Sequence, residues 1–333
     1  MMIEIVKLRD AQYCNLKLLL IFLVIYGHLI ESMIWQSEVL MVQYRWMYLV
    51  HMPLFCFLSG LFLNNAKVCK KQLARIFPLY ILLQTFAVVI GNGEVNPLTP
   101  YWHLWYLLSY SIWLCLAWTW FRFCNGKGKI IILICSIVVG CVAGLVPFIG
   151  RELSLSRTLV FLPYFWTGLI CNPKFPWKKL RLAGIAALVT AFALIVCIGN
   201  DIPVKFLYQA TPYEHIGKGV LLRLVCYLLG GSLGLFLLAF IPTRRLPFTK
   251  AGANTMPAYL IHAPIVLYLR ELNIQWPLYI IFTVVFLYAI YLLVRWHSSL
   301  YGIVPTERRD SRWLPFKKST KNTLSPFIDS YYP

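Results

Sequence analysis

Long runs of apolar residues, separated by short polar segments, dominate the pattern along this chain. The runs are continuous and do not alternate between apolar and polar positions, which favours helices over the strands of a β-barrel. Most of them approach the roughly 20 residues that a helix needs to cross a bilayer. The segment from His297 onward is polar and contains several prolines, which is typical of a loose or surface-lying tail. The ten predicted transmembrane helices are 16–35, 44–63, 77–92, 102–121, 130–148, 158–172, 181–199, 219–241, 254–269 and 277–296.

The composition supports a membrane protein. Hydrophobic residues make up 60% of the 333 positions and charged residues only 13%, with a mean hydropathy of +0.70. Soluble domains carry roughly 25% charged residues, and a soluble fold of this length cannot bury so much apolar surface. We therefore predict an all-α, polytopic integral membrane protein with one transmembrane domain, 1–296, and a polar cytoplasmic tail, 297–333. The ten cysteines lie mostly in apolar runs, where we interpret them as small apolar residues.

The positive charge is concentrated in alternate connections between the predicted helices. The net charge is +19, from 31 Lys and Arg against 12 Asp and Glu. With the N-terminus inside, 24 of the 31 basic residues fall on the cytoplasmic side. Membrane proteins place Lys and Arg on cytoplasmic loops, so this pattern predicts that both termini are cytoplasmic. It also accounts for the charge without a nucleic-acid partner.

Three histidines within the predicted helices are candidates for function, because ionisable groups inside lipid are costly. His28 lies eleven residues after Lys17, about 16 Å further along the helix. His51 lies about 10 Å from the outer end of the next, antiparallel helix, and His262 falls near the middle of the ninth. We expect the three imidazoles at one depth. Each could instead be a hydrogen-bonding partner between helices, and a metal site is disfavoured because no carboxylate or Cys stands at ligand spacing.

Three other polar features each allow two interpretations. The aromatic segment 101–106, which contains His103, fits the interfacial belt of membrane proteins and equally a platform for a sugar ring. Ser59 could be a nucleophile, but Ser59 and Gly60 are better explained as small residues that let helices approach closely. Arg75, near Pro78 at the predicted start of the third helix, could fix topology or bind phosphate.

Several of these residues lie in motifs that occur together in a known family. Lys17 and His28 enclose ten residues, a spacing that resembles the Arg/Lys-x10-His motif of membrane acyltransferase family 3. The likeness continues in order to about residue 296 and is greatest to the branch of fucose 4-O-acetylases and related sugar acetylases. Cys14 stands near a position where the family often has Asp, and Gln72 where the first of two Arg is expected. The other similar segments are 51–60, 71–80, 103–107, 154–157 with 163–165, 252–255 and 259–262.

The resemblance implies a membrane O-acyltransferase of the bacterial inner membrane. It would move acetyl from acetyl-CoA to a hydroxyl of a cell-envelope sugar or lipid-linked glycan, without a metal. His28 is implied as the general base, since a neutral histidine suits proton transfer near pH 7. Lys17 and Arg75 are implied as cations that bind CoA phosphates or orient the site. The alternative is a transporter or exporter of a small anionic or acylated solute, which inner cations and midplane histidines would also suit. The other predicted binding residues are Lys70 and Lys71 for CoA, and His51, His103, Trp105, Arg157 and His262 for the acceptor.

Overall fold

Helices form nearly all of the regular structure in the computed structural model, which describes residues 2–91, 95–198, 202–272 and 274–300. No strand occurs among these residues, as the all-α prediction requires. Two short 3₁₀ helices bear on function, Glu31–Gln36 and Trp102–Leu104. The α-helices are α1 (Met2–Ile30), α2 (Glu38–Leu61), α3 (Ala66–Ile90), α4 (Trp105–Phe123), α5 (Lys129–Val142), α6 (Leu155–Ile170), α7 (Arg181–Ile198), α8 (Val204–Leu207), α9 (Ile216–Phe240), α10 (Thr249–Ala253), α11 (Met256–Glu271) and α12 (Trp276–Leu300).

Ten of these helices, all except the short α8 and α10, coincide with the ten predicted segments. Seven spans in the described part of the chain are long and apolar enough to cross a membrane. They lie along α1, α3, α4, α6, α7, α9 and α12; α5 is apolar but shorter. The count of ten crossings and the cytoplasmic location of both termini therefore remain predictions. The predicted tail is described only to residue 300, as the end of α12, and the rest lies outside the described residues.

The third helix begins eleven residues earlier than predicted, at Ala66. Asn65 caps it, because the Asn65 side chain accepts a hydrogen bond from the Val68 amide at 3.0 Å. Pro78 lies inside the helix, a position that membrane helices tolerate. The prediction that Arg75 stands beside the first turn of this helix, where free amides attract anions, is therefore wrong.

The backbones of α2 and α6 approach each other closely at two glycines. A Cβ added to Gly60 would lie 2.1 Å from the Phe165 carbonyl oxygen, and one added to Gly168 would lie 1.9 Å from that of Phe57. This confirms that Gly60 permits close packing of helices. The neighbouring Ser59 hydroxyl donates to the Phe55 carbonyl at 2.8 Å, within its own helix.

The spans differ in how deeply they are buried within the protein. In the α6 span, 61% of the residues in the most apolar window are buried, against 11% in the α7 span. The α3 and α12 spans resemble α7, with 17% buried. Because large apolar side chains on α3, α7 and α12 are exposed, these helices present the surface that a bilayer would cover.

The connections between helices collect at two ends of the bundle. On the N-terminal half of α1, Tyr13 donates to the Pro173 carbonyl and Asn15 to the Pro242 carbonyl, each at 2.8 Å. We call this the basic end, because three of its connections, 124–128, 171–180 and 241–255, carry most of the loop Lys and Arg, whereas the fourth, 62–65, carries none. The described residues of the connections that follow α1, α3, α5, α7 and α11 lie at the opposite end, where backbone hydrogen bonds join Leu153 to Leu98 and Tyr213 to Gly144. We call it the histidine end.

Candidate active site

The connection before α4 enters the bundle at the histidine end. Gln84 of α3 holds this connection, donating to the Thr99 carbonyl at 2.9 Å and accepting from the Tyr101 amide at 2.8 Å. Gln84 lies six residues before the end of α3, which is about 9 Å along the axis. The start of α4 therefore lies below the rim of the bundle, and His103 with it.

His28 lies in the last turn of α1, with its ring beside Trp102 of this connection. Its Nδ1 lies 3.3 Å from the Tyr48 hydroxyl of α2 and 3.7 Å from Glu31 Oε2. One ring nitrogen is therefore engaged by groups that fix the orientation of the imidazole. This arrangement of a carboxylate and a tyrosine around a histidine leaves Nε2 for a ligand.

An arginine from α11 fixes both the carboxylate and the helix end. Arg270 Nη2 lies 2.6 Å from Glu31 Oε2, and Arg270 Nε donates to the His28 carbonyl at 2.8 Å. The same guanidinium lies 5.4 Å from the centre of the Trp102 ring. The sequence analysis did not predict a role for Glu31, Arg270 or Trp102. Glu31, three residues after His28, gave the one available signal, because this spacing places two side chains on one helix face.

Two further imidazoles and an indole complete a cluster with His28. The rings of His28 and His262 are nearly parallel, with centroids 5.6 Å apart, and those of His103 and His262 are 5.1 Å apart. The Trp102 ring lies 4.7 Å from that of His28. Trp102, which the interfacial belt explained, thus contacts the site, at a strained backbone φ of 24°. We call His28, Trp102, His103 and His262 the histidine cluster.

His51 does not join the cluster as predicted. It lies behind Tyr48, with ring centroids 4.8 Å apart, and it is 2% exposed. His103 occupies the position in the cluster that was expected for His51. The helical register explains the difference: α2 begins at Glu38, six residues before the predicted start, so Tyr48 is the α2 residue level with His28.

Backbone carbonyls fix the protonation of two histidines. Nδ1 of His51 contacts the Met47 carbonyl, and Nδ1 of His262 lies 2.6 Å from the Tyr259 carbonyl. A carbonyl only accepts, so Nδ1 carries the proton in both rings. His262 Nε2 and both ring nitrogens of His103 are buried without a well-formed hydrogen bond. The cluster therefore offers unused nitrogen atoms to a ligand.

Trp105 of α4 and Arg157 of α6, both predicted to bind the acceptor, contact each other. The Arg157 guanidinium lies 5.0 Å from the centre of the Trp105 ring, and its Nε donates to the Tyr208 carbonyl at 2.9 Å. Trp105 also stacks on Phe161, with centroids 5.5 Å apart. Trp105 packs on these two neighbours, and Trp102 is the indole that lies beside His28.

The predicted donor-side cations lie apart from the histidine cluster. Lys17 Nζ lies 3.4 Å from the Ala253 carbonyl, at the basic end and about 16 Å along α1 from His28. Lys70, Lys71 and Arg75 are exposed on α3. The described residues include no group of three or more His, Cys, Asp or Glu placed to hold a metal ion.

A family model described as an acyltransferase domain matches residues 13–295. The chain belongs to membrane acyltransferase family 3. The histidine cluster, Glu31 and Arg270 lie within the matched region, and on their geometry we treat them as the candidate active site of this membrane acyltransferase. Comparison with curated proteins and with solved structures gives no match.

Proposed function

We propose that this acyltransferase transfers an acetyl group from acetyl-CoA to a hydroxyl of a cell-envelope sugar or glycan, in a bacterial inner membrane. The observation that carries the proposal is the orientation of His28. Its Nδ1 faces Tyr48 and Glu31 at 3.3 and 3.7 Å, so Nε2 is the nitrogen that can act on a substrate. A hydroxyl needs such a base, because it is a weak nucleophile while it keeps its proton.

His28 Nε2 takes the proton as the acceptor oxygen bonds to the thioester carbonyl carbon. The carbon–sulfur bond then breaks, the acetyl group stays on the acceptor oxygen, and the proton passes from His28 to the sulfur of CoA. Glu31 stabilises the imidazolium that forms between these two steps, since opposite charges attract strongly away from water. Arg270 holds Glu31 in place.

Donor and acceptor reach His28 from opposite ends. CoA is made in the cytoplasm and its phosphates do not cross lipid, so the basic end suits the donor. The exposed Lys70, Lys71 and Arg75 supply charge-assisted hydrogen bonds to phosphate. The histidine cluster suits a sugar, because Trp102 offers an aromatic face and His262 Nε2 accepts from a hydroxyl. Family membership in the sugar-acetylase branch would fit this acceptor.

Thiol release from acetyl-CoA by the purified protein in detergent, with a panel of sugar acceptors, tests the proposal. His28→Gln should lower the rate by roughly 10²–10⁴. His215→Gln is the matched control, because His215 is an exposed histidine outside the cluster and its replacement should leave the rate unchanged. Equal rates for both variants would overturn the role of His28. Solute uptake by proteoliposomes without any thiol release would favour the transporter.

A further inference from the structure

A second buried polar site lies beside the candidate active site, around Arg223 of α9. Arg223 is only 1% exposed. Its Nε donates to the Tyr213 hydroxyl at 3.3 Å, and its guanidinium lies 4.4 Å from the centre of the Phe206 ring. Its Nη1 is buried without a hydrogen-bond partner. Within the described residues no carboxylate pairs with it, so a buried positive charge has only neutral neighbours.

Arg223 lines a cavity together with a second unpartnered polar side chain. The amide oxygen of Gln209 is also buried without a hydrogen bond, and Gln209 is 7% exposed. The cavity has a volume of about 10 Å³ and includes Tyr48 among its walls. This volume admits one water-sized group, such as a single oxygen atom at the end of a larger ligand.

The charged groups near the histidine end indicate that the oxygen atom of this ligand should be negatively charged. Arg270 pairs with Glu31. Arg157 and Arg223 instead donate to a backbone carbonyl and a phenol. Burying a charge away from water is costly unless an opposite charge or several hydrogen bonds compensate. A negatively charged ligand would supply this compensation, and rotation of the Gln209 amide would let its NH₂ group donate to the same ligand.

We propose that Arg223 and Gln209 bind an oxyanion carried by the acyl acceptor, either a carboxylate or a phosphate oxygen. Tyr48 connects this subsite to the site of transfer, because it lines the cavity and its hydroxyl contacts His28. An acceptor anchored at Arg223 would extend along Tyr48 and present a hydroxyl to His28. The acceptor is then an acidic or phosphorylated sugar and not a neutral one. This inference rests on the proposed function.

Binding of three sugars to the purified protein, without acetyl-CoA, tests the subsite. The probes are glucose, glucuronate and glucose 1-phosphate, with affinity measured by calorimetry in detergent. We expect a charged sugar to bind roughly tenfold or more tightly than glucose, because hydrogen bonds to charged groups are strong. Arg223→Gln should abolish this preference and Arg223→Lys should keep part of it. Lys205→Gln, which removes an exposed charge near the same end, should keep all of it.

The outcomes separate the subsite from its alternatives. Preference for glucuronate identifies a carboxylate subsite, and preference for glucose 1-phosphate a phosphate subsite; either supports the proposal. Equal binding of all three sugars, or no binding of any, overturns it. A preference unchanged in Arg223→Gln also overturns it and leaves Arg223 as an anchor for Phe206 and Tyr213. If that variant does not fold, the wild-type comparison and Arg223→Lys decide. Thiol release is measured separately, so failure of the proposed function is distinguishable.

Discussion

Replacing Glu31 by glutamine tests whether a carboxylate beside His28 assists acyl transfer. Glu31 Oε2 lies 3.7 Å from His28 Nδ1 and 2.6 Å from Arg270 Nη2, and Glu31 Oε1 accepts from the Tyr44 hydroxyl at 3.2 Å. Glutamine keeps the size of the side chain and can keep the bond to Tyr44, but it removes the charge. The side chains of His28, Glu31 and Arg270 are 16%, 22% and 21% exposed, so solvent screens the charges only partly.

The expected loss follows from these distances. At 3.7 Å and an effective dielectric constant of about 20, an imidazolium and a carboxylate attract by about 4 kcal/mol. Arg270 offsets part of this attraction, because its guanidinium pairs with the same oxygen and repels the imidazolium. A net loss of about 1.4–2.8 kcal/mol corresponds to a roughly 10- to 100-fold decrease in kcat. We expect KM for the acceptor to change less than kcat.

Thiol release and thermal unfolding of the same detergent samples distinguish catalysis from folding. Glu31→Gln leaves the Arg270 guanidinium without a paired carboxylate, so the unfolding temperature of this variant should fall. The double variant Glu31→Gln/Arg270→Gln should recover much of the thermal stability, because no unpaired charge remains, but not the rate. A folded Glu31→Gln protein with kcat within twofold of the wild type would refute this reasoning. Recovery of the rate in the double variant would show that Glu31 only neutralises Arg270.

Three further predictions concern topology, packing and the donor site. A reporter inserted after Gly126 should be cytoplasmic and one after Gly150 external, because the basic connections are expected inside. Gly60→Ala should lower the unfolding free energy by about 3 kcal/mol or more, since its Cβ would lie 2.1 Å from the α6 backbone. Gly231→Ala, with no atom within 4 Å of the new Cβ, is its control and should change stability by at most about 1 kcal/mol. Arg75→Ala should weaken acetyl-CoA binding in calorimetry, and Arg75→Lys should restore it only in part, because the bidentate fork is lost.

Each of these three has a clear contrary result. Reversed reporter signals would invert the orientation of every helix. Equal stability of the two glycine variants would remove the close contact between α2 and α6 as a source of stability. Full acetyl-CoA affinity in both Arg75 variants would return the basic residues of α3 to a role in topology alone.

The sequence predicted the helices well because lipid leaves the backbone little choice. Backbone groups must be satisfied within each segment, so long apolar runs become helices. The errors occurred at helix ends, where side-chain chemistry decides. Asn65 caps α3, whose first residue, Ala66, lies eleven residues before the predicted start. An apolar run cannot reveal this, because the first turns of α3 are basic.

The candidate site was predicted only in part. His28 and His262 do lie together, as predicted. Both could be recognised in the sequence because each is an ionisable residue in an apolar helix. Glu31, Arg270 and Trp102 were missed, because each lies where a connection meets the bundle and polar or aromatic residues need no special explanation there. Their role depends on contacts between α1, α11 and the connection before α4, and pattern along one segment does not contain that information.

The touching backbones of α2 and α6 limit which walls of the site can move. At these contacts carbonyl oxygens of one helix meet glycines of the other with no side chain between them. Because no change of rotamer can make room there, we expect α2 and α6 to move as one rigid unit. Tyr48 belongs to α2 and therefore to this rigid unit. His28 and Arg270 belong to α1 and α11, which meet through the hydrogen bond from the Arg270 side chain to the His28 carbonyl. We therefore expect Tyr48 to keep its place relative to α6, so that any movement admitting a substrate occurs in walls of the site other than Tyr48.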